Sequence, residues 1–489
     1  MKNHLSDLIR LINDRGDSFF GMGVSAFMRL IPAFFLHNYR IIAYKDSTDL
    51  ETIERYCNVF SLQRDYQEEE ALPEDSVDSA FLLRNPRVQQ YINRSRGRIH
   101  LFVYQSTEVI EDIGRKFGWN IIGNSTRIRR EFGHKGEFRK ILKQLDLPLI
   151  PGEQISRDEL IRRGYHSLCL SLGKDIVFQL PDITKGGGRG TFFIRSEKDY
   201  LDFLRCISMG SYRGYGVKSV NVAQLIEGFP ASVAVCATRY GALISGIQTQ
   251  VMDIPEVLKV HRGNGFFCGH DWTYRRYSTS LQERITKTAQ TLSGYMWDRG
   301  YRGIFGIDLV VDEKAGEVYP VECNTRYTGA FPMLSMHHPK NGAIPMDLFH
   351  ILEFLDADYE IDVEKLNQAY RKRIRGSHII LFNKEHVPLK VGGNVRSGIY
   401  RHVPGEHRIE FIREGLRYED LIGEDEFILT DGVPCQGSTV VFNDELTRVC
   451  RILFPFQIIE SPTELNGKAR EIVNLVYDQF DFHPLHTGY

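Results

Sequence analysis

Two carboxylates and an amide, Asp308, Glu322 and Asn324, stand inside the stretch GIDLVVDEKAGEVYPVECNTRYTG, whose two halves otherwise read as buried strands. GIDLVVDE alternates, EVYPVECN nearly alternates, and Lys314-Ala315-Gly316 fits a three-residue hairpin loop with its glycine in the left-handed position. That register sets Asp308 across from Glu322, with Asn324 two residues on along the same face. Facing carboxylates repel unless a cation sits between them. Hard oxygen ligands suit Mg²⁺, which takes one or two carboxylates and fills its shell with water and phosphate oxygens. Pro320 cannot donate to a ladder, so it must turn its nitrogen outward or mark a bulge. The same residues also fit a surface hairpin whose acids face water.

A second set of candidates lies in DIVFQLPDITKGGGRGTFFIRS, where Lys185, Gly186, Gly187, Gly188, Arg189, Gly190 and Thr191 join two strand-like runs. Consecutive small residues let backbone N–H groups converge on an anion, and the two cations can add charge-assisted contacts to phosphate oxygens. The order of a P-loop is absent, so a flexible hairpin tip is the alternative. Nearer the N-terminus, Gly21, Gly23 and Ala26 spell G-x-G-x-x-A, with Asp46 about 20 residues further on as in a dinucleotide-binding fingerprint. A glycine turn serves equally wherever a strand folds tightly onto a helix. His261, His270, His337 and His338 read as structural residues rather than bases.

The elements that must position these residues fall into three units. In the first third, DSFFGMGVSAFMRLIPAFFLHNYRIIAYKDS reads as strand, glycine turn, helix and strand, and RIHLFVYQ adds a later strand, so a parallel α/β sheet is expected over residues 1–122. Residues 123–375 open with the helical REFGHKGEFRKILKQL and carry both candidate sets, with a lid containing the glycine-rich loop at about 146–222. Residues 376–489 turn to short strands (HIILFNK, GIYRHV, RIEFI, EFILTD, STVVFND) in an α+β unit. A final helix closes it, for which Ser461 and Glu464 fit a capping box and Pro462 the first helical position.

Composition bounds the function. Sixty-one basic and 63 acidic residues leave a formal charge of −2, so no basic field argues for nucleic acid or an anionic membrane, and small-molecule partners are expected. The N-terminal segment lacks a long apolar core, no run reaches about 18 apolar residues, and the eight cysteines form no CxxC pair. A cytoplasmic protein with free thiols is the expectation.

A glycine-rich loop between strands, an apolar strand ending in QLIEG, and an Asp followed by Glu-x-Asn-x-Arg form an ordered set that resembles the ATP-grasp superfamily over residues 123 to 335. The resemblance implies two α+β subdomains that clamp ATP, behind a Rossmann-like domain. By position, it makes Asp308, Glu322 and Asn324 the ligands of two Mg²⁺ ions, or of Mn²⁺, and Arg326 the group that steadies an acyl phosphate. Lys185 to Thr191 would close over the β- and γ-phosphates, Gln224, Leu225, Ile226 and Glu227 would meet adenine, and Lys135 would contact phosphate. Two positions depart from the family pattern. Gln179 stands where a strand lysine is usual, and Pro230 where a ribose-binding acid is usual. The activity implied is an ATP-dependent ligase joining a small carboxylate to an amine such as an amino acid or small peptide, with a homo-oligomer as a candidate assembly. A biotin carboxylase-like enzyme that phosphorylates bicarbonate and a nucleotide-binding protein without ligase activity are the alternatives. The C-terminal unit loosely resembles the one that follows this domain in biotin carboxylases.

Overall fold

The computed structural model describes residues 4–66, 72, 77–181, 183, 188, 190–259, 265–275, 277–442 and 447–485. The first unit is a parallel sheet in the spatial order Asn58–Ser61, Tyr39–Ala43, Ser18–Gly23, Ile99–Phe102, Asn120–Ile122. Its central strand comes first in sequence, and the later strands are laid down on one side and then the other. The chain therefore reverses direction across the sheet between Ser18–Gly23 and Ile99–Phe102. After Gly23 the expected helix is instead a pair of 3₁₀ turns, Phe27–Arg29 and Ile31–Phe34, the second carrying Pro32 in its first turn.

The expected helix around residue 134 is two helices, Thr126–Gly133 and Lys135–Gln144. His134 adopts an extended conformation and its side chain caps the second helix by accepting from the Glu137 amide. Lys135 thereby stands in the first turn of a helix rather than in the middle of one. A four-stranded antiparallel lid follows, in the order Gly152–Ser156, Ser219–Gln224, Ile176–Gln179, Thr191–Ile194. One face of it, with Ile155, Phe178, Val220 and Val222, is sealed by helices Arg157–Leu172 and Glu197–Cys206. Gln154, Asn221, Gln179 and Thr191 pair in a row across the other face.

Most of the remaining strands form one antiparallel eleven-stranded sheet. It runs from the hairpin Gly303–Asp312 and Glu317–Asn324 through Phe229–Thr238, Gln248–Met252 and Phe267–Asp271 to Ser377–Phe382, Arg448–Phe454, Glu426–Thr430, Gly398–Val403 and Arg408–Arg413. Gly241–Ile244 pairs at the side of Phe229–Thr238. Phe267–Asp271 is hydrogen-bonded to Ser377–Phe382, so a continuous sheet crosses the 375/376 boundary. Helix Thr279–Asp298 packs Leu281, Ile285, Leu292 and Met296 on Val233, Val235, Phe305 and Ile307, which leaves Asp308 on the opposite face. One local expectation is corrected, and one element was missed. Arg448–Phe454 is a central strand that the sequence pattern concealed, and Ser461 to Glu464 make a tight β-turn instead of a helix cap. The last helix, Gly467–Phe480, is capped by Asn466. All eight cysteines are free thiols, and no described helix is long and apolar enough to cross a membrane.

Candidate functional site

The hairpin brings Asp308 opposite Glu322, by a route that differs from the simplest one. Asp312 pairs with Glu317, so the loop spans Glu313 to Gly316, and Leu309 pairs with Pro320. A bulge at Val321 then restores the register, because Asp308 pairs with Glu322 and Gly306 with Asn324. Pro320 sits next to that bulge. Gly316 is left-handed (φ +67°), and Asp312 steadies the loop by accepting from the Ala315 amide at 3.0 Å.

Asn324 Nδ2 donates to Asp308 Oδ2 at 2.8 Å, and Gln250 Nε2 donates to Asp308 Oδ1 at 3.0 Å. Arg326 donates to Asn324 Oδ1 and, through Nε, to the Tyr104 hydroxyl at 2.7 Å. Lys135 Nζ lies 3.8 Å from Glu322 Oε2, too far for a hydrogen bond. Burial first, and then the neighbouring Glu322 carboxylate, push the Asp308 carboxyl up to about 7. Of the two cations beside the two carboxylates, Lys135 stands off at 3.8 Å and Arg326 donates to Asn324 and Tyr104. Two carboxylates beside an amide oxygen suit a hard divalent cation that keeps open positions for water and phosphate. Among the described residues no group of three or more His, Cys, Asp or Glu side chains is placed to hold a metal ion.

Local packing delivers Lys135 and Arg326 to this cluster. A Cβ on Gly133 would fall 2.9 Å from Thr325 Oγ1, so only glycine lets the first helix end against the 324–326 segment. Arg129 ties the two together, donating to the Thr325 carbonyl at 3.0 Å and to Gln105 Oε1 at 2.8 Å, while Thr325 Oγ1 donates back to the Arg129 carbonyl.

The positions expected to meet nucleotide lie in the lid, in the segment that follows it and in the core sheet. Gln179 ends its strand paired with Thr191 and Asn221. Gln224 and Leu225 anchor the lid by donating their amides to the Pro151 and Asp175 carbonyls, and Ile226 and Glu227 follow. Glu227 lies 3.6 Å from Lys314 at the hairpin tip. Pro230 is built into the core sheet opposite Val310. Gly188 is left-handed, and Gly190 accepts from the Leu180 amide. Lys185, Gly186, Gly187, Arg189 and His261 lie outside the described residues.

The sequence reading passed over Gln250, Tyr104 and Asn221. Asn221 is 2% exposed, and both polar atoms of its side chain lack partners among the described residues, on the lid face that carries Gln179. An asparagine within an alternating strand gives no sequence signal of that kind. His270, His337 and His338 are held neutral, since burial pushes each down to about 3.

Residues 183–330 match the family model of the ATP-grasp domain. An L-glutamate ligase of Niallia circulans acting on the butirosin acyl-carrier protein is 24% identical over 218 residues, 43% of this chain. The match takes in 46% of that relative, about half its length. Among solved structures, the biotin carboxylase domain of the 2-oxoglutarate carboxylase of Hydrogenobacter thermophilus, crystallised with MgADP, ADP and bicarbonate, superposes with a TM-score of 0.58. It is 15% identical and covers 90% of this chain and 86% of its own. Phosphoribosylamine–glycine ligase of Thermotoga maritima gives a TM-score of 0.54 at 13% identity, covering 96% of this chain and 97% of its own. At these identities the likeness is one of fold. Residues 183–330 thus match the ATP-grasp domain, and the fold around them, with its parallel N-terminal sheet, antiparallel lid and carboxylate hairpin in this order, is similar to that of these solved structures.

Proposed function

We propose that this chain is an ATP-dependent ligase that activates a small carboxylic acid as an acyl phosphate and joins it to an amine, releasing ADP and phosphate. The observation that carries the reading is the cluster of Asp308, Glu322, Asn324, Arg326 and Lys135 at the hairpin. Mg²⁺, as two ions or with Mn²⁺ in its place, would be held by Asp308, Glu322 and Asn324 and would neutralise charge gathering on the transferring phosphoryl group. Every other part is played by the protein. Lys135 and the loop from Lys185 to Thr191 hold the β- and γ-phosphates, with the Gln179 amide where a strand lysine is usual, and Gln224 to Glu227 receive adenine. A carboxylate oxygen of the acid attacks the γ-phosphorus and ADP leaves. Arg326, braced by Tyr104, steadies the acyl phosphate and then the oxyanion formed when the amine adds to its carbonyl carbon. Phosphate departs and the amine proton passes to it or to water.

Free thiols throughout fit a reducing compartment, the cytoplasm. The test is a mass-spectrometric screen of amino-acid and dipeptide mixtures with ATP and Mg²⁺. ADP that forms only when acid and amine are both present supports the ligase. ADP that forms with bicarbonate alone favours the biotin carboxylase-like alternative, and no ADP with any mixture would leave a nucleotide-binding protein.

A further inference from the structure

The Gly21-x-Gly23 turn makes room for an arginine. A Cβ on Gly21 would come 1.9 Å from the Tyr39 hydroxyl and 3.0 Å from Arg29 Cβ, and one on Gly23 would come 3.4 Å from Arg29 Cγ. Arg29 is 3% exposed. Its Nε donates to the Met22 carbonyl at 2.8 Å and one terminal nitrogen to the Met28 carbonyl at 2.9 Å. Among the described residues no carboxylate lies within ion-pair range of it, and its guanidinium lies over the Tyr327, Phe102 and Tyr104 rings, 5.4, 6.0 and 6.0 Å from their centres. The two acids that feel its charge are committed elsewhere: Asp431 to Arg451 and Ser25, Asp347 to Tyr327 and Ser335. A buried cation without an anion is costly unless something else supplies one.

Its place in the fold says what could. Arg29 and Tyr104 follow the carboxyl ends of Ser18–Gly23 and Ile99–Phe102, the neighbouring strands between which the sheet reverses direction. In open α/β sheets the crevice outside such a reversal is where ligands bind. The Arg29 guanidinium lies 6.0 Å from the Tyr104 ring centre, and that of Arg326 lies 5.6 Å from the same ring. Tyr104 therefore joins this crevice to the hairpin cluster. Although burial opposes it, the surrounding Arg326, Arg448 and Arg29 draw the Tyr104 phenol below its ordinary value, a sign of positive potential there.

We propose that this crevice is an anion subsite, in which Arg29, beside Tyr104, receives a second, non-reacting carboxylate or phosphate of the acid whose reacting carboxylate lies at Arg326. The inference rests on the ligase reading of the same site, and it makes the acid substrate a dianion.

The test uses the full chain, calorimetry and thermal unfolding, with glutarate and 3-phosphonopropionate as dianionic probes and butyrate as the monoanionic one. The wild type is expected to bind the dianions at least about tenfold more tightly than butyrate, the scale of one charge-assisted hydrogen bond. Whichever dianion binds more tightly distinguishes a carboxylate from a phosphate subsite. Arg29→Met is expected to erase the preference, keep the thermal shift caused by MgATP, and lose no stability in the absence of ligand. Arg29→Lys is expected to retain part of the preference. A wild type that binds butyrate as well as glutarate and 3-phosphonopropionate, or an Arg29→Met variant that keeps the preference, overturns the proposal. So does an Arg29→Met variant that is destabilised without ligand while the Lys variant shows full preference, because Arg29 then serves only as a clip for the Met22 and Met28 carbonyls. A wild type that shows no MgATP shift overturns the ligase reading instead, whatever the anions do.

Discussion

Two buried polar regions share the eleven-stranded sheet and meet where Ser232 pairs with Asp308, yet one is closed and the other open. In the closed region Arg451 donates through Nε to Asp431 at 3.0 Å and through a terminal nitrogen to His378 Nδ1 at 2.9 Å. His378 must then carry its proton on Nε2, 3.1 Å from His270 Nδ1, and His270 in turn carries its own on Nε2, 3.3 Å from Ser232 Oγ. Ser25 completes the chain by donating to the other Asp431 oxygen at 2.5 Å. One cation, one anion and two neutral rings leave no net charge and no unfilled role. At the hairpin, by contrast, Asp308 faces Glu322 with Lys135 held off at 3.8 Å, and close by Arg29 has no anion. Burial is common to both regions. Direct hydrogen bonding between the opposite charges separates the network that holds the fold from the cluster proposed to receive ligands.

The widest test of the closed region is acid. Burial holds His270, His337, His338 and His350 at about 3, and His378 well below its ordinary value. The unfolded chain takes up these protons from about pH 6.5 downward while the native state refuses them, so stability present above pH 6.5 is lost on acidification. Each fully buried histidine contributes up to about 1.4 kcal/mol per pH unit in that window. Asp308, raised to about 7, and Asp271, raised by burial to about 6, act in the opposite sense, binding protons in the native state before the unfolded one. Burial raises Asp46, Asp49 and Asp347 as well, and the six histidines pushed down, His100 included, still outnumber these five carboxyls. Urea midpoints are expected to fall between pH 6.5 and 5, and a flat profile would contradict the buried neutral histidines.

A smaller effect comes from breaking the relay at one point. Arg451→Met leaves Asp431 buried without its cation and is expected to cost about 3–5 kcal/mol in urea unfolding. An Arg451→Met protein as stable as the parent would erase the contrast with Arg29. Smaller still is the stability change at the hairpin. Glu322→Gln removes one of two facing charges, so it is expected to leave thermal stability unchanged or raise it by up to about 1 kcal/mol while abolishing ADP formation. Full turnover in that variant would remove Glu322 from the metal site.

The sequence made the hairpin legible because alternation, a left-handed glycine and two misplaced acids coincide in one stretch. It left the loop one residue short, and the bulge beside Pro320 made up the difference, so the acids meet although the intervening pairs shift. Local signals misled where a tertiary contact decided. Ser461 to Glu464 has the residues of a capping box, but the Pro462 carbonyl accepts from the Met252 amide and the segment turns as a β-corner. Arg451 interrupts the apolar run RVCRILF, which hid a central strand whose arginine is neutralised by partners distant in sequence. The G-x-G turn was visible, but Arg29 as the side chain that fills it was not, because its lack of an acid partner exists only once the sheet is assembled.

The central claim is that this hairpin supports acyl-phosphate chemistry. Phosphorus NMR of a reaction containing ATP, Mg²⁺, the acid identified by the screen and hydroxylamine tests it most directly, with the hydroxamate quantified in parallel. ADP, phosphate and hydroxamate are expected in equal amounts from the wild type and none of them from Glu322→Gln. AMP and pyrophosphate in place of ADP and phosphate would contradict the account.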